Sequence, residues 1–390
     1  MPVDPDYVTR ALSDLVAIPS VNPAFSRPGA TAAPGEAAIA DDVARKMRAI
    51  GLDVELVLAA PGRPSVVGIL EGKSKGRPGR SLVLNGHIDT VGPGDAMERP
   101  FAPEIRGGRL FGRGAYDMKG SVAAMLGAAK ALADEGAPFR GRVIVEAVAD
   151  EEDASLGTLS LVKRFPADGA IVTEPTANAL ALAHRGFSWI RVTTKGFACH
   201  GSRYDLGVDA NLRMGRVLAR LEALERDLAA RRPHPLAGRP SLHAALLRGG
   251  VGPSIYAPSC TLDVERRTAP GETREGVLAE VRAVVEELAR EDPGFEAAVE
   301  ETLAREPFES REGGGVARAV RAAARREGAE PKTVGVPFWT DAAILAAAGV
   351  DTVVFGNDGA GAHEDVEWVD LASTHALART LAAAVAEYCS

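Results

Sequence analysis

At 390 residues the chain exceeds what one hydrophobic core organises, and two domains are expected. Hydrophobic residues at 46% and charged residues at 25% are the proportions of an ordinary globular protein. A formal charge of −8, with no dense Lys/Arg run, argues against nucleic acid as a partner.

In chain order, Met1–Tyr7 has neither a basic start nor an apolar stretch, so no signal peptide is expected. Ile39, Val43, Met47 and Ile50 recur at helical spacing, and Gly51 is a plausible stop, which predicts a helix over 36–50. Strands are expected around Asp53–Leu58 and Val66–Leu70, and the Pro/Gly-rich pieces 59–64 and 72–79 read as surface turns. Ser81–His87 is an apolar run typical of a buried strand, and Gly120–Gly136, rich in Ala, Leu and Met, reads as a helix packed on the sheet. Further buried strands lead into Glu151-Glu152 and into Glu174. This alternation predicts an α/β domain with a mostly parallel sheet and helices on both faces.

Near residue 182 the pattern changes. Trp189–Thr194 alternates like a half-buried strand, 210–230 is a long amphipathic helix, and strands at Leu242–Leu247 and Ser259–Glu265 precede a helix at 273–290 and a strand near 294–302. The order β-α-β-β-α-β is that of a ferredoxin-like α+β sandwich. Gly315–Arg326 and Thr352–Phe355 then resume the first pattern. The smaller domain, 182–303, is therefore expected as an insertion into a larger one formed by 1–181 and 304–390. No stretch approaches the roughly 18–20 apolar residues of a membrane span. Cys199, Cys260 and Cys389 have no metal-ligand spacing and leave one unpaired, so a reducing cytoplasm is the expected location.

His87, Asp117, Glu151, Glu152, Glu174 and His363 sit at or just beyond the ends of buried-strand runs. In open parallel sheets, ligands bind where the carboxyl ends of strands converge. His87 and Asp89 leave the same face of a strand, and a metal-bound imidazole usually gives its other N–H to a carboxylate. Taken alone, that pair is equally a buried histidine satisfied by a neighbour. Asp117 lies in a glycine-rich turn whose spacing fits neither the dinucleotide nor the P-loop pattern. Asp150 to Asp153 form an acidic run at a strand end, where the charges repel unless cations compensate; a solvated acidic loop is the alternative. Two His and several carboxylates without Cys suit zinc, cobalt or manganese, and the carboxylates outnumber what one tetrahedral ion takes. Two ions sharing a carboxylate is the economical arrangement. His184, His234, His243 and His375 have no ligand-like context.

The combination His87-x-Asp89, Asp117-Met-Lys-Gly120, Glu151-Glu152, Thr-Glu174-Pro and Gly-x-His363 resembles the co-catalytic zinc amidohydrolases, the family of acetylornithine deacetylase, succinyl-diaminopimelate desuccinylase, aminoacylase and carboxypeptidase G. The resemblance runs from about residue 10 to 380. It implies that Asp117 bridges two zinc ions, with His87 and Glu174 on one and Glu152 and His363 on the other. It further implies Glu151 as the general base, Asp89 as the partner of His87, and a cis peptide after Asp117. His200, in Cys199-His-Gly-Ser, is similar to the family's lid histidine, which reaches the partner's active site and stabilises the oxyanion. Arg267 holds the position of the arginine that binds the substrate carboxylate. Where the family often has a substrate-contacting Asn before Tyr256, this chain has Ser254. A Cys199–His200 dyad is disfavoured, because neighbours on an extended segment point to opposite faces.

The expected reaction is hydrolysis of the amide of a small N-acyl amino acid by metal-activated water, in a homodimer joined through the inserted lid. Glu at 174 leans towards deacylases. A metallo-carboxypeptidase or dipeptidase with the same two-ion site is the alternative. A non-catalytic binding protein on the same fold is disfavoured by the complete ligand set and Glu151.

Overall fold

The computed structural model describes residues 2–26, 35–77 and 79–390. The chain forms two compact units, one of the residues up to Leu182 with Ser310–Val334 and Thr340–Ser390, the other of Ala183–Glu309 with Gly335–Trp339.

The larger unit is built on a sheet whose strands run in the order Asp53–Ala60, Arg63–Glu71, Arg142–Val148, Ser81–His87, Gly169–Val172, Asp351–Val354 and Leu180–His184. The four from Arg142–Val148 to Asp351–Val354 are mutually parallel, and antiparallel strands flank them. Their near-continuous apolar sequences follow from burial on both faces; Val83, Leu84, Ile144, Val145, Ile171 and Val353 are all buried. Each such side chain contributes about 1.5–3 kcal/mol by leaving water. Register matters most for the site. His87 is level with Val148, Asn85 with Val172, and Val172 with Val354, so these strands end on one rim.

Helix Ala37–Ile50 packs on Arg63–Glu71. It stops at Gly51, whose φ of 95° lies in the left-handed region that glycine enters without a Cβ clash. The expected turn at 59–64 closes a hairpin in which Ala60 faces Arg63. The described part of 72–79 forms no helix or strand, and Pro78 lies outside the described residues. Helix Gly120–Asp134 packs against Pro5–Ala17 and Leu371–Tyr388. No helix among the described residues is long and apolar enough to cross a membrane.

The second unit has an antiparallel sheet in the order Ser241–Gly249, Ser259–Thr268, Gly186–Lys195, Ala297–Arg305. Helices Ala210–Ala230 and Arg274–Glu291 supply Met214, Val217, Leu221, Val281 and Leu288 to a core shared with Ile190, Val192, Leu262 and Val264. This is the expected ferredoxin-like sandwich. Its edge strand Ser241–Gly249 is exposed from His243 onwards.

Candidate metal centre

The strand rim brings the predicted ligands together. His87 ends its strand with Nδ1 2.9 Å from the main-chain oxygen of Asp89. A carbonyl only accepts, so the proton belongs on Nδ1 and Nε2 is the nitrogen turned to the site. Nε2 lies 3.0 Å from Asp117 Oδ1 and 3.7 Å from Glu174 Oε1. The other oxygen of Asp117, Oδ2, is 3.3 Å from His363 Nε2, which is 3.1 Å from Glu152 Oε2. Each oxygen of one carboxylate thus faces a different imidazole. Donors bound at about 2.0–2.2 Å to one tetrahedral ion stand roughly 3.3–3.6 Å apart, close to the separations found here.

Local backbone explains the presentation. Asp117 follows Gly112 and Gly114, both at positive φ, and the Asp117–Met118 peptide is cis. His363 has a φ of 63° and follows Gly361 at 85°. Asp150, at φ 71°, turns the chain so that the Glu151 and Glu152 amides donate to the Asp89 carboxylate at 3.2 and 3.3 Å. Asp89 therefore supports His87 differently from expectation. Its main-chain oxygen takes the ring proton, its Oδ1 stands 3.7 Å from Nδ1, and its carboxylate holds the Glu151-Glu152 turn and the Asn22 amide.

Burial raises the Glu151 carboxyl well above its ordinary value, and Glu174 adds to this; burial does the same for Glu174, with Asp117 adding. Burial opposes ionisation of Asp117, yet hydrogen bonds from His363 and His87 hold its carboxyl well below the usual range. Asp117 and Glu152 raise His363 to about 10. Glu152 Oε1 is buried and has no hydrogen-bond partner. An orphaned carboxylate oxygen among converging imidazole and carboxylate donors fits a divalent cation. Atoms of His87, Glu151 and Glu174 also lie within 4.8 Å of one another, as do atoms of His87, Asp117 and Glu152, so Glu151 stands among the candidate donors.

The remaining predicted residues belong to the second unit. His200 is exposed, with Nδ1 2.8 Å from Ser202 Oγ, while Cys199 Sγ faces the main-chain oxygen of Arg203. Gly201 N donates to Ser254 O at 2.8 Å, so the His200 and Ser254 segments run side by side. Arg267 pairs with Glu265 at 2.9 Å and lies over the Phe187 ring.

Sequence reasoning missed the residues beneath the ligands. Asn22 Nδ2 donates to Asp89 at 2.8 Å and to Asp150 at 3.0 Å, and Arg63 joins Asp150 to Glu36. Asn22 and Arg63 flank turns, and only their polarity beside apolar runs hints at burial. Glu367 and Arg113, a buried pair at 2.6 Å, had the same faint signal.

The profile of peptidase family M20/M25/M40 matches residues 83–387. The chain is 32% identical over 333 residues to an acetylornithine deacetylase of Myxococcus xanthus, covering 83% of this chain and 84% of that protein. It is 29% identical over 281 residues to a succinyl-diaminopimelate desuccinylase of Cupriavidus necator, covering 67% and 71%. The aminopeptidase PepT of Bacillus cereus has a similar fold, with a TM-score of 0.81 at 19% identity over 100% of both chains. With the profile spanning most of its length, the chain belongs to peptidase family M20/M25/M40 and is an enzyme that hydrolyses linear amide bonds.

Proposed function

We propose that the protein removes the acyl group from a small N-acyl amino acid, using two zinc ions held by His87, Asp117 and Glu174 and by Asp117, Glu152 and His363. The observation that carries this is the Asp117 carboxylate, whose two oxygens each face a separate imidazole-carboxylate set. An imidazole and carboxylate donor set without thiolate favours zinc, with cobalt or manganese as close substitutes. When bound, the two ions supply Lewis acidity, polarising the scissile carbonyl and acidifying water.

Glu151 takes the proton from the attacking water and delivers it to the departing amine. Burial pushes its pKa upward, the direction a base working near neutrality needs. His200 donates to the oxyanion of the tetrahedral species from a second copy of the chain, a contribution of about 3 kcal/mol in comparable sites. Arg267 binds the substrate carboxylate, and Ser254 contacts the amino-acid portion. The resemblance to deacylases over most of the chain supports the acyl-amino-acid class over dipeptides. Free cysteines support a reducing, cytoplasmic setting.

Replacing Glu151 with Ala is expected to lower kcat by about 10²–10⁴-fold while two metal ions remain bound. Loss of metal along with activity would make Glu151 a ligand and remove it as the base.

A further inference from the structure

Glu367 is not among the residues that hold ions or touch substrate in the reading above, yet its carboxylate is saturated with donors. Oε2 accepts from Arg113 Nη1 at 2.6 Å and Gly114 N at 2.9 Å. Oε1 accepts from Tyr116 N at 2.9 Å and from Asp117 N at 3.0 Å. Its main-chain oxygen accepts from Gly112 N at 3.2 Å, and Arg113 Nη2 reaches back to the Glu364 oxygen at 2.8 Å. Next along, Trp368 pairs with Phe111 in a short antiparallel ladder. Arg113 and Glu367 are each 1% exposed.

These contacts fasten the segment leading into Asp117 to the segment following His363. Asp117 and His363 stand at the free ends of that fastening, 3.3 Å apart. His87, by contrast, closes the strand Ser81–His87 and Glu174 lies two residues past Gly169–Val172, both outside this fastening, although the His87 amide also meets Met118 Sδ at 3.2 Å. A carboxylate with both oxygens committed to four donors cannot itself ligate; it can only set where others stand.

We propose that Glu367 is a positioning residue that holds Asp117 and His363 at ligand separation, so that the affinity of the ion shared by Asp117, Glu152 and His363 depends on it. The ion shared by His87, Asp117 and Glu174 has only Asp117 tied to this fastening and depends on it less. The proposal rests on the two-ion reading above.

The test is titration of the demetallated protein with zinc against a chromophoric chelator, for the parent, Glu367→Gln, Arg113→Lys and His363→Ala. The amide keeps the volume but turns a donor towards amides that need an acceptor. Glu367→Gln is expected to weaken by about 10–100-fold the same binding class that His363→Ala removes, with the other class, which shares only Asp117 with it, weakened by a smaller factor and kcat falling at nearly constant KM. Arg113→Lys, which keeps the buried charge and loses the tie to Glu364, is expected to weaken that class by a smaller factor; it decides the matter if Glu367→Gln does not fold. Parent-like affinities in these variants overturn the proposal, as does an equal loss in both classes, which is the mark of general destabilisation. A parent that binds fewer than two ions overturns the two-ion reading first, and the proposal with it.

Discussion

Asp117 can serve two ions because its neighbours leave both of its oxygens free. Its amide is taken by Glu367, its Oδ1 faces His87 and its Oδ2 faces His363. Without cations, the neighbouring carboxylates favour the protonated form of both imidazoles. Asp117 and Glu152 raise His363 to about 10, and Asp117 and Glu174 overcome the burial penalty on His87 to raise it well above its ordinary value. Below the raised values the imidazoles are protonated, and a cation displaces those protons. Zinc uptake at about pH 7.5 should therefore release at least one proton per chain, and apparent affinity should rise with pH until His363 titrates near 10. Calorimetry in two buffers of different ionisation enthalpy checks this. Uptake with no proton release would mean the imidazoles are already free, or are not the ligands.

Among the elements, those with strong apolar runs were legible. The strands around Leu84, Val145 and Ile171, and the helices with regular apolar spacing, lie where the residues predict. Helix Leu371–Tyr388 carried little signal, because its run of alanines has small contrast between faces. The short strands Glu104–Arg106, Arg109–Phe111, Gly359–Ala360 and Trp368–Asp370 were illegible, since two or three residues carry no periodicity and only pairing defines them. That small sheet carries the Glu367 fastening, which is why the supports of the site were hidden. The edge strand Ser241–Gly249 offers a test of the proposed dimer. Leu246 and Leu247 are half exposed on it, beside an unpaired row of backbone groups of the kind that recruits another chain. We expect sedimentation to give twice the 40.7 kDa chain mass, and Leu247→Glu to shift it towards one. A parent sedimenting as a single chain would remove the trans role given to His200.

At the scale of the whole molecule, function was more legible than geometry. The ligand types and their places at strand ends pointed to a metal rim, because catalytic chemistry restricts side-chain identity more tightly than packing does. The pairing of His87 with Asp117 and Glu174, and of His363 with Glu152, depends on registers and loop turns across distant parts of the chain. Spacing along the sequence cannot supply those. Nor did it reveal that Asp89 would spend its carboxylate on the Glu151-Glu152 turn.

Whether this protein is a two-metal deacylase is decided by metal content measured together with hydrolysis of an N-acetyl-amino-acid and dipeptide panel, with and without chelator. About two zinc-class ions per chain, release of free amine from acyl amino acids in preference to dipeptides, and loss of that activity on chelation are expected. Hydrolysis that survives complete removal of metal would contradict this reading, as would a protein that takes up no zinc, cobalt or manganese.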